Sequence, residues 1–133
     1  MNKVYLATSL FNTDRIIKIA EKFKQAGVTI TYEWFKVGQL FDETKLAECA
    51  ELEERGVIEC DLLFMVQPAR LGSHCELGMA RVLNKHIVIL DDTGYEIEQK
   101  TFYYRLPGHN RPINKFDDES TAVSFALSLL EVH

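Results

Sequence analysis

The chain has 133 residues, 47% hydrophobic and 26% charged, enough for one domain with its own core and ordinary for a soluble globular protein. A net charge of -5 argues against a nucleic-acid polymer as partner, which needs a basic stripe, and leaves room for a nucleoside or nucleotide held by a few local groups. No apolar run approaches the roughly 18 residues that span a bilayer, so no membrane association is expected. Cys49, Cys60 and Cys75 show no CxxC spacing and read as reduced thiols of a cytoplasmic protein.

In chain order, "KVYLAT" (3–8) is rich in strand formers and reads as a first strand rather than a signal peptide. Residues 12–26 carry Ile16, Ile17, Ala20 and Phe23 at helical spacing, with Asn12 or Thr13 as cap and Gly27 at the end. "VTITYEW" (28–34) reads as a second strand, and Gly38 and Asp42 bracket a loop. A second helix is expected over 43–55, closed by Gly56, and "DLLFMV" (61–66) has the apolar run of a strand buried on both faces. A third helix covers 74–84, "HIVIL" (86–90) is a fourth strand, and the polar stretch 91–111 carries Phe102, Tyr103 and Tyr104 as a lid or an oligomer contact. "PINKF" (112–116) is a short fifth strand and 118–132 a final amphipathic helix.

Strands alternating with helices imply a parallel sheet covered on both faces. The expected architecture is an α/β three-layer sandwich, flavodoxin-like or Rossmann-like, with a five-stranded parallel sheet in a single domain over residues 1–133. Ligands of such sheets sit at the carboxyl ends of the strands. That rule gathers "TSLFN", the Glu33–Trp34 end of the second strand and "QPARLGSHCE" around one crevice. There is no GxGxxG after the first strand and no P-loop, which disfavours a dinucleotide redox cofactor. Four scattered histidines give no metal-site spacing. Neither metal nor cofactor is expected.

Two carboxylates stand at positions where helices face a core. At about 100° per residue, Leu46, Ala50 and Val57 share a stripe with Glu53 in its middle. An unpaired carboxylate there is costly, so Glu53 either escapes to solvent near the helix end or lines a cavity. Glu76 shares an arc with Met79, Ala80 and Leu83. "SHCE" has the form of a capping box with Ser73 as cap; alternatively Glu76 stands at the crevice rim, where a glutamate can attack an anomeric carbon. Tyr5 reads either as a core tyrosine or as a hydroxyl orienting a carboxylate. Arg70 is a surface residue or a phosphate ligand, and the amides of the following helix start suit an anion.

"VYLATSLFNTDR", "ITYEW" and above all "DLLFMVQPARLGSHCELGMARVLNKHIVIL" resemble the nucleoside 2-deoxyribosyltransferase family, including its nucleoside 5'-monophosphate N-glycosidase branch. The G-x-x-x-E-L-G-x-A pattern (Gly72, Glu76, Leu77, Gly78, Ala80) between two strands carries most of the likeness, which spans roughly residues 3–90. The resemblance implies a flavodoxin-like fold and homo-oligomers with shared active sites. It also implies cleavage or transfer of the N-glycosidic bond of a (deoxy)nucleoside or nucleotide through a glutamyl-sugar ester. Carried over by motif, Glu76 is the nucleophile, Tyr5 touches it, and Glu53 takes the place of an aspartate.

Arg70 stands where the nucleoside-specific members have an aspartate. With Ser9 and Ser73 it favours a 5'-phosphate, although "SLFN" lacks the basic loop of the nucleotide-cleaving branch. Trp34 and Phe11 are candidates to stack on the base, and Asn114 of "RPIN" is a candidate contribution to a neighbouring subunit's site. The competing readings are a non-catalytic nucleotide-binding module of the same fold and an enzyme that cleaves the nicotinamide–ribose bond of NAD.

Overall fold

A computed structural model describes residues 1–37, 42–94 and 111–131. Five parallel strands, β1 (Lys3–Ala7), β2 (Thr29–Ile30), β3 (Leu62–Val66), β4 (His86–Leu90) and β5 (Ile113–Phe116), lie in the order β2-β1-β3-β4-β5. This is the flavodoxin-like strand order, with β1 and β3 side by side at the switch point. Helices α1 (Thr13–Gln25) and α4 (Glu119–Leu129) cover one face, and α2 (Glu43–Glu59) and α3 (Leu71–Val82) the other. The expected three-layer sandwich is thus the architecture observed. Among the described residues no helix is long and apolar enough to cross a membrane. Phe102, Tyr103 and Tyr104 lie outside the described residues.

Side-chain alternation along the strands divides the core in two. Val4, Leu6, Leu62, Phe64 and Val88 point toward α1 and α4; Tyr5, Ala7, Leu63, Met65 and Ile87 point toward α2 and α3. β3 is buried at every position, as its unbroken apolar run predicts. Helix α1 ends as expected: Gly27 adopts φ +85°, and the Val28 amide reaches back to the Phe23 carbonyl at 2.9 Å. On the outer side of this layer Arg15 grips Asp92 with two hydrogen bonds (3.0 and 2.7 Å) and also Glu119, which in turn holds Lys22.

Four local expectations are corrected. β2 pairs over only two residues, because the Leu6 carbonyl beside it accepts the Trp34 indole N–H (2.7 Å) instead of a strand amide, and the chain turns into a 3-10 turn at Trp34–Lys36. Asn12 sends its side chain to the Thr8 hydroxyl (3.0 Å) rather than capping α1. Helix α2 runs through Gly56 to Glu59, and its sheet-facing stripe is Cys49, Glu53, Gly56, Val57 and Cys60; Leu46 and Ala50 are exposed. Helix α3 begins at Leu71, three residues earlier than its apolar periodicity suggests.

Candidate active site

The early start of α3 decides between the two readings of "SHCE". The residue preceding the helix is Arg70, whose side chain makes no capping bond, and Ser73 lies inside the first turn. The buried Ser73 hydroxyl donates to the Thr8 carbonyl at 3.0 Å, 65 residues away in sequence. The capping box therefore does not form. Glu76 sits on the inner face of α3, only 7% exposed, beside Leu77 and Ala80.

Three polar groups meet under that helix. Tyr5, fully buried on β1, brings its hydroxyl toward the Glu76 carboxyl, and Glu53 approaches from the half-buried stripe of α2. The Tyr5 hydroxyl makes no hydrogen bond of regular geometry, yet it interacts with Glu76 strongly enough to oppose part of the carboxyl's burial cost. Desolvation first, and then the negative charge of Glu53, push the Glu76 carboxyl up to about 8. Burial raises Glu53 above the ordinary carboxylate range and lifts Tyr5 far above that of a phenol. Two neighbouring carboxyl groups that resist ionising together can hold a proton between them and pass it on.

The approach of α2 depends on Gly56. Glycine in a helix interior costs about 1 kcal/mol relative to alanine. Here it faces the Tyr5 ring, on the same side of the helix as Glu53. Sequence reasoning misses this residue, since a glycine near the end of an apolar-periodic stretch looks like a stop signal.

The carboxyl ends of β1 and β3 lie side by side, Ala7 paired with Met65. Thr8 donates to the Val66 carbonyl (2.7 Å), tying the two strand ends together. Past β3 the Gln67–Pro68 peptide is cis, and the buried Gln67 side chain accepts the Ala69 amide (2.8 Å). Ser9, at the end of β1, is buried with its hydroxyl unpartnered.

The fold is similar to that of solved structures. The CMP N-glycosidase BcmB of Clostridium botulinum superposes with a TM-score of 0.60, covering 94% of this chain and 98% of its own, at 19% identity. BlsM, solved in solution, gives a TM-score of 0.70 over 92% of this chain and 85% of its own, at 20% identity. The chain has the fold of CMP N-glycosidase. At these identities the likeness concerns the fold alone. No family model and no curated protein matches the sequence.

On this N-glycosidase-type fold the remaining candidates divide. Arg70 and Phe11 meet at the rim, the guanidinium 4.9 Å from the centre of a ring that is 81% exposed. Gly72 lies in the first turn of α3, with open space where a Cβ would stand. Trp34 is half-buried against both core clusters, and its indole N–H is committed to the Leu6 carbonyl. Asn114 is not brought to this site within one chain. It pairs with Val88 on β5, three strands from β1 and level with residues of the α1–α4 face, and its amide donates to the Ile87 (3.4 Å) and Pro112 (3.3 Å) carbonyls.

Proposed function

We propose that the protein cleaves the N-glycosidic bond of a nucleoside or nucleotide, as a member of the nucleoside 2-deoxyribosyltransferase family. The observation that carries this reading is the buried Glu76 carboxyl, held between Tyr5 and Glu53 beneath the crevice at the strand ends. Before substrate binds, the proton of the carboxyl pair resides on Glu76. Positive charge developing on the sugar ring favours the ionised form, and the proton passes to Glu53 directly or through one water. The Glu76 carboxylate then bonds to C1', the C1'–N bond breaks with its electron pair on the base, and Glu53 returns the proton to that base. Water attacking the ester, with Glu53 taking its proton, gives hydrolysis; a second base attacking gives transfer. Tyr5 orients Glu76 throughout.

The rim supports a 5'-phosphate on the substrate. The unpartnered Ser9 hydroxyl, the uncapped first turn of α3 and the Arg70 guanidinium together offer neutral donors, helix amides and a cation. A charge-assisted contact of this kind contributes on the order of 1.5–3 kcal/mol. Arg70→Ala is therefore expected to weaken nucleotide binding by about 10- to 150-fold and nucleoside binding far less. Equal losses in calorimetric titrations of both would remove the phosphate from the assignment.

The protein is further proposed to act as a homo-oligomer. On the α2–α3 layer Ile58, Leu71, Cys75, Met79, Val82 and Leu83 line a groove of about 750 Å³ outside the Glu76 site. Leu71 and Val82, each more than four-fifths exposed, stand three turns apart on one side of α3. Val82→Glu is expected to convert a dimer or larger assembly into monomers in sedimentation velocity. A wild-type chain already monomeric at tens of micromolar would rule the assembly out.

The activity itself is tested by incubating the protein with nucleosides, 5'-mononucleotides and NAD and separating the products by chromatography. Release of free base from one of the first two classes is the expected result. Nicotinamide release from NAD alone, or binding with no turnover of any member, would replace the reading with one of its competitors.

A further inference from the structure

Gly56 is the one place where α2 presses on the core without a side chain. A Cβ there would lie 2.9 Å from Cδ2 and 3.0 Å from Cε2 of Tyr5, and 3.2 Å from Cβ of Tyr32. The first contact is shorter than real Cβ atoms make, and the Tyr5 ring is wholly enclosed, so it has no solvent to swing into. This turn of the helix is also fixed from outside. The Gly56 carbonyl accepts the hydroxyl of Thr31, just past β2, at 2.8 Å, which holds α2 to the edge of the sheet. Glu53 stands one turn earlier on the same helix face.

We propose that Gly56 is a positioning residue: its missing side chain lets α2 close on the Tyr5 ring, and that closure sets the separation of the Glu53 and Glu76 carboxyl groups and the aim of the Tyr5 hydroxyl. Any larger residue must displace either the helix, carrying Glu53 with it, or the ring, carrying the hydroxyl. The kinetic consequence rests on Glu76 being the nucleophile, whereas the geometric claim does not. The groups facing Glu76 are Tyr5 from β1 and Glu53 from α2, with Tyr32 and Cys49 behind them, the Tyr32 hydroxyl lying 3.5 Å from the Cys49 sulfur. Moving α2 outward admits water to Glu76 and removes the Glu53 charge, and both changes release the Glu76 proton more easily.

The test compares the wild type, Gly56→Ala, Tyr5→Leu and the double variant. Carbon-13 NMR of labelled glutamate carboxyls gives the Glu76 titration midpoint, and thermal denaturation gives stability. Gly56→Ala is expected to lower the midpoint by about one pH unit or more and to lower Tm. In the active enzyme it should reduce kcat about tenfold or more with KM little changed, as a misplaced catalytic group does. In the Tyr5→Leu background the same alanine should lower Tm much less, because the rigid ring it strikes is replaced by a flexible side chain and only the 3.2 Å approach to Tyr32 Cβ is unchanged; if Gly56→Ala alone fails to fold, the double variant should recover the fold. An unchanged Glu76 midpoint, an equal loss of Tm in both backgrounds, or a double variant that stays unfolded would overturn the proposal. The titration and the stability comparison proceed without turnover. A protein with no glycosidase activity would therefore sink the proposed function while the role of Gly56 stood or fell on its own measurements.

Discussion

Glu76→Gln is expected to lose glycosidic cleavage by roughly 10³-fold or more while the protein keeps its fold and its ligand affinity. Glutamine matches the buried side chain in shape, and nothing in the first turn of α3 depends on a carboxylate at this position, because Ser73 bonds to Thr8. An amide, however, cannot form the sugar ester. Mass spectrometry of the wild type with a slow 2-fluoro-sugar substrate should place the adduct on the peptide containing Glu76, and the variant should carry none. Full activity in the glutamine variant, or an adduct on another peptide, would end the nucleophile assignment.

The second large effect is on stability. In the unfolded chain Glu76 titrates near its ordinary value of 4.5, and in the folded protein it titrates at about 8. Between those values the native state keeps a proton that the unfolded chain has released. The contribution of this group is complete below about pH 4.5 and is lost as pH rises toward 8. Each unit of pKa difference corresponds to about 1.4 kcal/mol, so the loss is of the order of several kcal/mol across the window. Glu76→Gln has no such titration. Its Tm should match the wild type near pH 4, exceed it by a margin that grows from about pH 4.5 to about pH 8, and keep that margin above pH 8. Glu53→Gln, which removes the neighbouring charge, should reduce the wild-type decline. Parallel Tm–pH curves for the wild type and Glu76→Gln would mean that the carboxyl ionises without resistance.

Much of the arrangement is legible in the sequence. Alternation along "KVYLA" puts Tyr5 on one face of β1, helical spacing turns Glu76 and Glu53 inward, and the strand-end rule picks out the stretch that contains Glu76. Sequence and structure part where another part of the fold claims a group with a familiar capping or packing role. Ser73 has the spacing of a cap, but the Thr8 carbonyl takes its hydroxyl. Asn12 has the right identity for a cap, but its amide turns to Thr8. Leu46 and Ala50 fit an apolar stripe on α2, yet both are exposed. Gly56 is hidden for a different reason. Its significance lies in the ring opposite, and no local pattern announces which side chain a glycine makes room for.

The Trp34 indole has a consequence for how the molecule keeps itself apart from its neighbours. A strand at the border of a sheet offers free carbonyls and amides to any other chain that arrives extended. Here the outer strand is two residues long, too short to template a partner, and the Leu6 carbonyl that it leaves uncovered on β1 is closed by a side chain. Intruding strands find that margin already occupied, which disfavours growth by edge-to-edge stacking there.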